Sequence, residues 1–379
     1  MRSTILSFMG IALLSFSIGC KEENKVNSEI VETSEKVEKP KTVVIDTVIV
    51  KDKPEDVKTP KGMVWIPGGV IVQGAVPQDK AAMGHEKPAH KVAVDGFFMG
   101  ITEVTNSEFK KFVDETKYKT VAEREIDWEE MKKQLPEGTP KPHDSIMQPG
   151  SLTFKKAKSS VSNLYDFSQW WKWTIGADWQ HPNGPESSIK GKGNYPVVHI
   201  AFEDALAYCQ WANRRLPTEA EWELAAKGEH LNTTFFWGDE DEQLSKKANT
   251  WEGEFPVTNT KTDGYEDRSP VKSYPPNDFG LYDMAGNVWE WTGDWYNTNY
   301  YNEISNTIVK NPQGAVSPYN ERDPYAKEKV MKGGSFLCNA SYCASYRISS
   351  RMATSLDSSL EHLGFRTVAT ADLVRDKSK

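Results

Sequence analysis

Apolar and polar positions alternate in several registers along this chain, and each register predicts a different element. A continuous apolar run from Ile5 to Ile18 follows Met1-Arg2 and is too brief to span a bilayer. From Lys21 to Pro60 there is no aromatic residue and no glycine, while Lys and Glu dominate. Such a stretch buries too little apolar area to offset its ordering entropy, so a flexible tether is expected, with only Val43 to Val50 suited to a strand. Gly62 to Gly69 predicts a short strand ending in a turn, and Lys91 to Met99 a second strand. Thr105-Asn106-Ser107-Glu108 is a capping box that opens a helix through Val113. Phe202 to Asn213 is helical by spacing, with Phe202, Leu206, Cys209 and Trp211 as its apolar face. A second capping box, Thr218-Glu219-Ala220-Glu221, opens a helix that carries Trp222 and Leu224 and stops at Gly228. Beyond Gly228 no long helix is predicted. Strand-like pieces remain at Lys329 to Lys332 and Phe365 to Ala369. Few helices, short strands and long loops without an internal repeat predict an α+β fold whose loops are pinned by ions or side-chain networks.

Composition narrows the function. The 379 residues carry 46 Lys and Arg against 54 Asp and Glu, a net charge of −8, which argues against a basic nucleic-acid binder. With 13 Trp, 14 Tyr and 15 Phe, the folded part can bury a large core. Four cysteines are too few for a disulfide-built scaffold. The opening apolar run, closed by Ser17-Ile18-Gly19 before Cys20, has the plan of a secretory signal. It resembles a bacterial lipobox with Ser17 in the usual Leu position, and Lys21-Glu22-Glu23 resembles an acidic export tag. In that reading residues 1–19 are a signal peptide and 20–60 a tether. Cys20 is then the lipidated N-terminus, and 61–379 the globular domain. The alternative is an ordinary cleaved signal with an incidental cysteine.

Chemistry concentrates in Gly333-Gly334-Ser335-Phe336-Leu337-Cys338-Asn339-Ala340-Ser341-Tyr342-Cys343. Two cysteines five positions apart beside a Gly-Gly turn admit three states: a small-loop disulfide, two buried thiols, or two thiolates on one soft metal. Zinc wants more protein ligands than lie nearby, and an iron–sulfur cluster wants four cysteines. Cu(I) accepts two thiolates. From spacing alone all three states stay open.

Together with Arg351, Asp357-Ser358-Ser359 and Leu363-Gly364-Phe365-Arg366, this stretch resembles the C-terminal signature of formylglycine-generating enzymes, the sulfatase-modifying factors. Gly176 to Pro185, Pro196 to His199, Arg215 to Glu223, Gly253 to Thr260 and Gly286-Asn287-Val288-Trp289-Glu290-Trp291 extend the likeness. Asp127 to Asp166 and Tyr300 to Ala326 match poorly. The Arg-Leu-Pro-Thr-Glu and Asn-Val-Trp-Glu-Trp motifs mark the wider superfamily, whereas the cysteine pair is specific to activity.

The resemblance implies a formylglycine-generating-enzyme fold with a C-type-lectin-like portion. It implies oxidation of the cysteine in Cys-x-Pro-x-Arg of an unfolded sulfatase to Cα-formylglycine by molecular oxygen. Cys338 and Cys343 would hold Cu(I), with Ser335 beside the oxygen site, Trp289 as its wall and Arg351 orienting polar groups. One calcium ion would take Asn249, Asp263 and the carbonyls of Thr250 and Tyr265. A second would take Asp283, Glu290 and the carbonyls of Gly286 and Val288. Such oxygen sets suit calcium, although Asp263-Gly264 is also an ordinary turn signal. An exported, lipid-anchored monomer on the periplasmic side or the outer-membrane surface is implied.

Several residues depart from the family pattern. Asn339 stands where animal enzymes have His, and His362 where Asn is usual. Cys209 faces Thr367 instead of a partner cysteine and is expected as a small buried hydrophobe. His85 and His90 lack a third ligand and are expected to face solvent. The Trp170-Trp171-Lys172-Trp173 cluster is expected to be core and groove wall. No phosphate loop and no Ser/His/Asp elbow is present. Two competing readings are a non-catalytic scaffold lipoprotein of the same superfamily and an iron-dependent sulfoxide synthase. The second lacks its His-rich domain here.

Overall fold

The computed structural model describes residues 48–135 and 137–376. The signal segment, Cys20 and most of the tether lie outside the described residues. Among the described residues twelve short strands occur: β1 (Met63–Ile66), β2 (Gly69–Gln73), β3 (His90–Val94), β4 (Phe97–Gly100), β5 (Gly150–Phe154), β6 (Trp171–Ile175), β7 (Trp289–Trp295), β8 (Val309–Lys310), β9 (Glu328–Lys332), β10 (Met352–Ser355), β11 (Leu363–Gly364) and β12 (Val368–Ala369). They form sheets ordered β1-β4-β12, β10-β9-β7-β11 and β2-β3-β8, and the hairpin β5-β6. The long helices are α1 (Asn106–Thr116), α2 (Phe202–Ala212) and α3 (Glu219–Lys227), and a C-terminal turn of helix is α4 (Ala371–Asp376). The fold is α+β.

Both predicted capping boxes form, with Thr105 and Thr218 each accepting the N–H of the glutamate three residues on. Helix α1 runs past Val113 to Thr116 and ends on Lys117 in the left-handed region. Helix α2 keeps most of the face the spacing suggested, with Phe202 and Trp211 packed against the core beside Cys209, but turns Leu206 outward. Ala205, Tyr208 and Cys209 are buried, whereas Leu206 is 44% exposed. The inward face follows tertiary packing against Phe109 and Phe365, which Tyr208 meets at 6.0 and 5.3 Å. The strand predicted over Lys91 to Met99 is two strands, because the chain turns at Asp95-Gly96. A side chain at Gly96 would overlap the Trp65 ring. The piece from Phe365 to Ala369 is likewise broken, since Arg366 turns inward to pair with Glu290 at 2.6 Å.

The tether ends earlier than residue 60. The N–H of Val50 donates to Asp95, the N–H of Gly96 donates back to the Val50 carbonyl at 2.6 Å, and Asp56 pairs with Arg375 of α4. Val57 is buried with Met63, Phe98 and Ala369. Burial of Val57 offsets the ordering of this segment, which local composition could not reveal. Among the described residues no helix is long and apolar enough to cross a membrane.

Candidate active site

The cysteine loop leaves β9 through Gly333 and Gly334, both at positive φ (90° and 74°). A Cβ on Gly334 would lie 2.8 Å from the Ser345 backbone, so only glycine lets the two ends of the loop approach this closely. The Cys338 N–H donates to the Ser335 carbonyl, and the N–H groups of Tyr342, Cys343 and Ala344 converge on the Asn339 carbonyl. Asn339 fastens the loop to its neighbour by donating to the Trp251 and Gly253 carbonyls, while the Trp251 N–H donates to the Cys338 carbonyl. The departure at Asn339 is therefore a loop anchor.

These turns bring both sulfurs together unbridged: Cys338 and Cys343 are free thiols, the first buried and the second part-exposed. Burial, with the hydrogen bond to Cys343, pushes the Cys338 thiol well up. Burial alone would raise Cys343 too, but the S–H donated by Cys338 and nearby N–H groups outweigh it and lower this thiol. The two thiols are thereby split, with Cys338 held up and Cys343, the part-exposed partner, held down. Ser335 donates its N–H to Cys338 Sγ at 3.4 Å, and its Oγ sits 3.1 Å from His362 Nδ1. Burial holds His362 neutral by lowering it to about 3. The Trp289 N–H donates to the His362 carbonyl, and the ring of Trp289 packs into the core that includes Cys338. Trp170, Trp251, Phe255, Phe336 and Leu337 form a second apolar cluster on which Tyr342 stacks, 4.7 Å from Phe255. Trp170 is core as expected, Trp171 is half-buried against His362, and Trp173 is exposed.

Arg351 does not serve this centre. Its guanidinium donates to both oxygens of Glu219 at 2.8 Å and to the carbonyls of His85 and Asn297, and it lies 4.5 Å over the Tyr301 ring. Every donor edge is engaged in a buried structural network, so the expected orienting role is corrected. His85 and His90 are corrected as well. His85 is part-buried against Tyr296, and His90 is buried against Tyr301 at 4.6 Å. Cys209 is a free, buried thiol as expected.

The two proposed calcium sets differ in fit. Around Asp263, the N–H groups of Thr250 and Tyr265 already donate to its two oxygens, and the Asn249 amide donates to the Asp267 carbonyl. The loop is drawn together by hydrogen bonds, and burial raises the carboxyl of Asp263. In the second set Glu290 is withdrawn, since Arg366 takes both of its oxygens at 2.6 Å and Trp222 donates to one. Instead Asp283 Oδ1 and Glu103 Oε2 are buried without a hydrogen-bond donor. Burial and then the Asp283 charge push Glu103 well up. Two adjacent carboxyl oxygens that lack donors fit a hard cation. Gly286, at φ 72°, lets its backbone reach Asn249 where any Cβ would overlap the Asn249 carbonyl. Spacing carried no signal for Glu103, which lies 180 positions upstream of Asp283. Among the described residues no three His, Cys, Asp or Glu side chains form a metal-holding group.

Residues 50–371 match the family model described as the sulfatase-modifying factor enzyme 1-like domain. The formylglycine-generating enzyme of Bos taurus is 42% identical over 312 residues, covering 82% of this chain and 75% of that one. That of Mycobacterium tuberculosis is 39% identical over 308 residues, covering 81% and 97%. The inactive Cα-formylglycine-generating enzyme 2 of Mus musculus is 34% identical over 316 residues, covering 82% and 86%. The solved structure of PvdO from Pseudomonas aeruginosa superposes with a TM-score of 0.55 at 21% identity, covering 84% of this chain and 99% of that one, a likeness of fold alone.

Proposed function

The chain belongs to the sulfatase-modifying factor family, and on that premise we propose that it is a formylglycine-generating oxidase that converts the cysteine of Cys-x-Pro-x-Arg in unfolded sulfatases to Cα-formylglycine with molecular oxygen. The observation that carries this reading is the unbridged pair Cys338 and Cys343, held in one tight loop at the edge of an aromatic wall. Two soft sulfur donors suit a monovalent copper ion. Bound there, Cu(I) would supply an electron-rich centre able to activate oxygen. The protein's own part is to hold the two sulfurs in one loop, to lower the Cys343 thiol through the donors around it, and to keep Ser335 beside Cys338. Neutral His362 offers Nδ1 as a partner for the Ser335 hydroxyl. Calcium held by Asp283 and Glu103 would brace the segments on which the cysteine loop rests. A lipid anchor at Cys20 would keep the domain on an exported membrane face.

Converting a thiol-bearing methylene to an aldehyde, with loss of hydrogen sulfide, removes two electrons. Reduction of oxygen to water takes four, so an external thiol would supply the other two. Reduction to peroxide would need none. The test is mass spectrometry of a Cys-x-Pro-x-Arg peptide after incubation in air with copper-loaded protein, with and without added thiol. Aldehyde is expected with wild type and none with Cys338→Ser or Cys343→Ser. Full conversion by either variant would overturn the two-thiolate reading, and an inert wild type that binds no cuprous ion would leave a scaffold.

A further inference from the structure

We propose that the outer edge of β6 is a docking strand for an extended, unfolded polypeptide, which pairs with it through main-chain hydrogen bonds and runs on to the thiol pair. The inference rests on the oxidase reading for the identity of that polypeptide. Among the described residues β6 pairs only with β5. The flanking bonds give the phase of the ladder: the Lys155 N–H donates to the Trp170 carbonyl at 2.8 Å, and the Gly176 N–H to the Pro149 carbonyl at 2.9 Å. In an antiparallel pair every second residue exchanges its bonds with the partner strand. With 170 and 176 turned toward β5, so are 172 and 174. The N–H and C=O groups of Trp171, Trp173 and Ile175 therefore point outward.

The side chains of those three residues share one face of the strand. Trp173 is 36% exposed and Ile175 is 45% exposed. Proteins blunt free edges with charges, proline or a covering element. Lys172 is the single charge in β6, and it points to the opposite face from the two exposed apolar residues. An uncovered edge that presents Trp and Ile is the pattern of a strand that accepts another.

Its position says what it accepts. The Trp171 ring meets the His362 ring edge-on at 4.8 Å, His362 reaches Ser335 at 3.1 Å, and Ser335 reaches Cys338 Sγ at 3.4 Å. The inner end of the strand thus abuts the side chains that border the thiol pair. From Ile175 to Trp171 the edge spans roughly 13 Å, enough for four or five residues of a chain flanking a reacting cysteine. An unfolded segment offers free main-chain groups over that length, with alternate side chains placed to meet Trp173 and Ile175.

The test uses two fluorescent peptides in which the reacting cysteine is serine. One is the bare Cys-x-Pro-x-Arg core, and the other carries a six-residue extension of alternating Val and Thr, made in N- and C-terminal versions. Trp173→Pro removes one outward N–H and the indole while sparing the bonds of 172 and 174. Trp173→Thr keeps the edge and removes only the apolar surface, and it serves if the proline variant fails to fold. By anisotropy, one extended peptide is expected to bind wild type about fivefold more tightly than the core, the worth of roughly one net hydrogen bond. That advantage is expected to vanish in Trp173→Pro and to shrink in Trp173→Thr, with binding of the core unchanged. Equal affinity of core and both extended peptides for wild type would overturn the docking strand. So would a concentration-dependent dimer that Trp173→Pro abolishes, since the edge would then serve a second copy. Because the readout is binding, failure of the docking strand is separable from failure of turnover, which is measured on the cysteine-containing core peptide.

Discussion

Replacing Arg351 with methionine separates a structural arginine from a catalytic one. The side chain is fully buried and makes a two-bond pair with Glu219, also buried, at 2.8 Å for each bond. Removing one member of such a pair strands the other charge and costs about 3–5 kcal/mol. Here Lys332 remains 3.6 Å from Glu219, although it is shared with Glu223 at 3.0 Å, so the loss falls near the lower end of that range. With a melting entropy of about 2.1 cal/mol/K per residue over the folded domain, ~3 kcal/mol lowers Tm by about 4 °C. Urea unfolding should show the same loss through a lower midpoint at unchanged slope. The kcat of the folded fraction on the Cys-x-Pro-x-Arg peptide should match wild type. Adding Glu219→Gln to the methionine variant should recover part of the stability, because the stranded charge is gone. A variant as stable as wild type but without turnover would return Arg351 to the chemistry and refute this assignment.

Two further outcomes follow from the buried carboxylates. Glu103→Gln should weaken calcium retention, measured as metal content after dialysis, yet raise the melting temperature of fully chelated protein, because it removes one of two facing acids, each with one oxygen that lacks a donor. Unchanged calcium content in that variant would exclude Glu103 as a ligand. Asp294 is raised from 3.8 to about 7 by burial and then by the Glu219 charge. The folded state therefore keeps a proton that the unfolded state gives up between those values, and stability falls as pH rises from about 4 to about 7. Asp294→Asn should gain on wild type across that window in denaturant midpoints, and a constant difference from pH 4 to 8 would contradict it.

Much of the site was legible because its chemistry is local. The Gly333-Gly334 turn and the two cysteines lie within eleven residues, and short-range geometry decides whether such neighbours can meet. The capping boxes were legible for the same reason, since Thr105 and Thr218 satisfy backbone groups only three residues away. Leu206 was misjudged as part of the apolar face of α2, because periodicity does not say which of two apolar stripes a neighbouring helix covers. The family resemblance puts Arg351 in the active centre. Its partner Glu219, 132 residues upstream, decided otherwise.

The sequence by itself determined the family, the thiol pair and the α+β character, because each depends on residue types at short, countable spacings. Only the tertiary structure decided that Glu103 faces Asp283, that Glu290 is held by Arg366, that residues 48–60 belong to the domain and that β6 has an open edge. Those outcomes depend on which distant segments share a buried space. There the energy of a charge or an unpaired backbone group is set by neighbours through space, and chain distance carries no record of them.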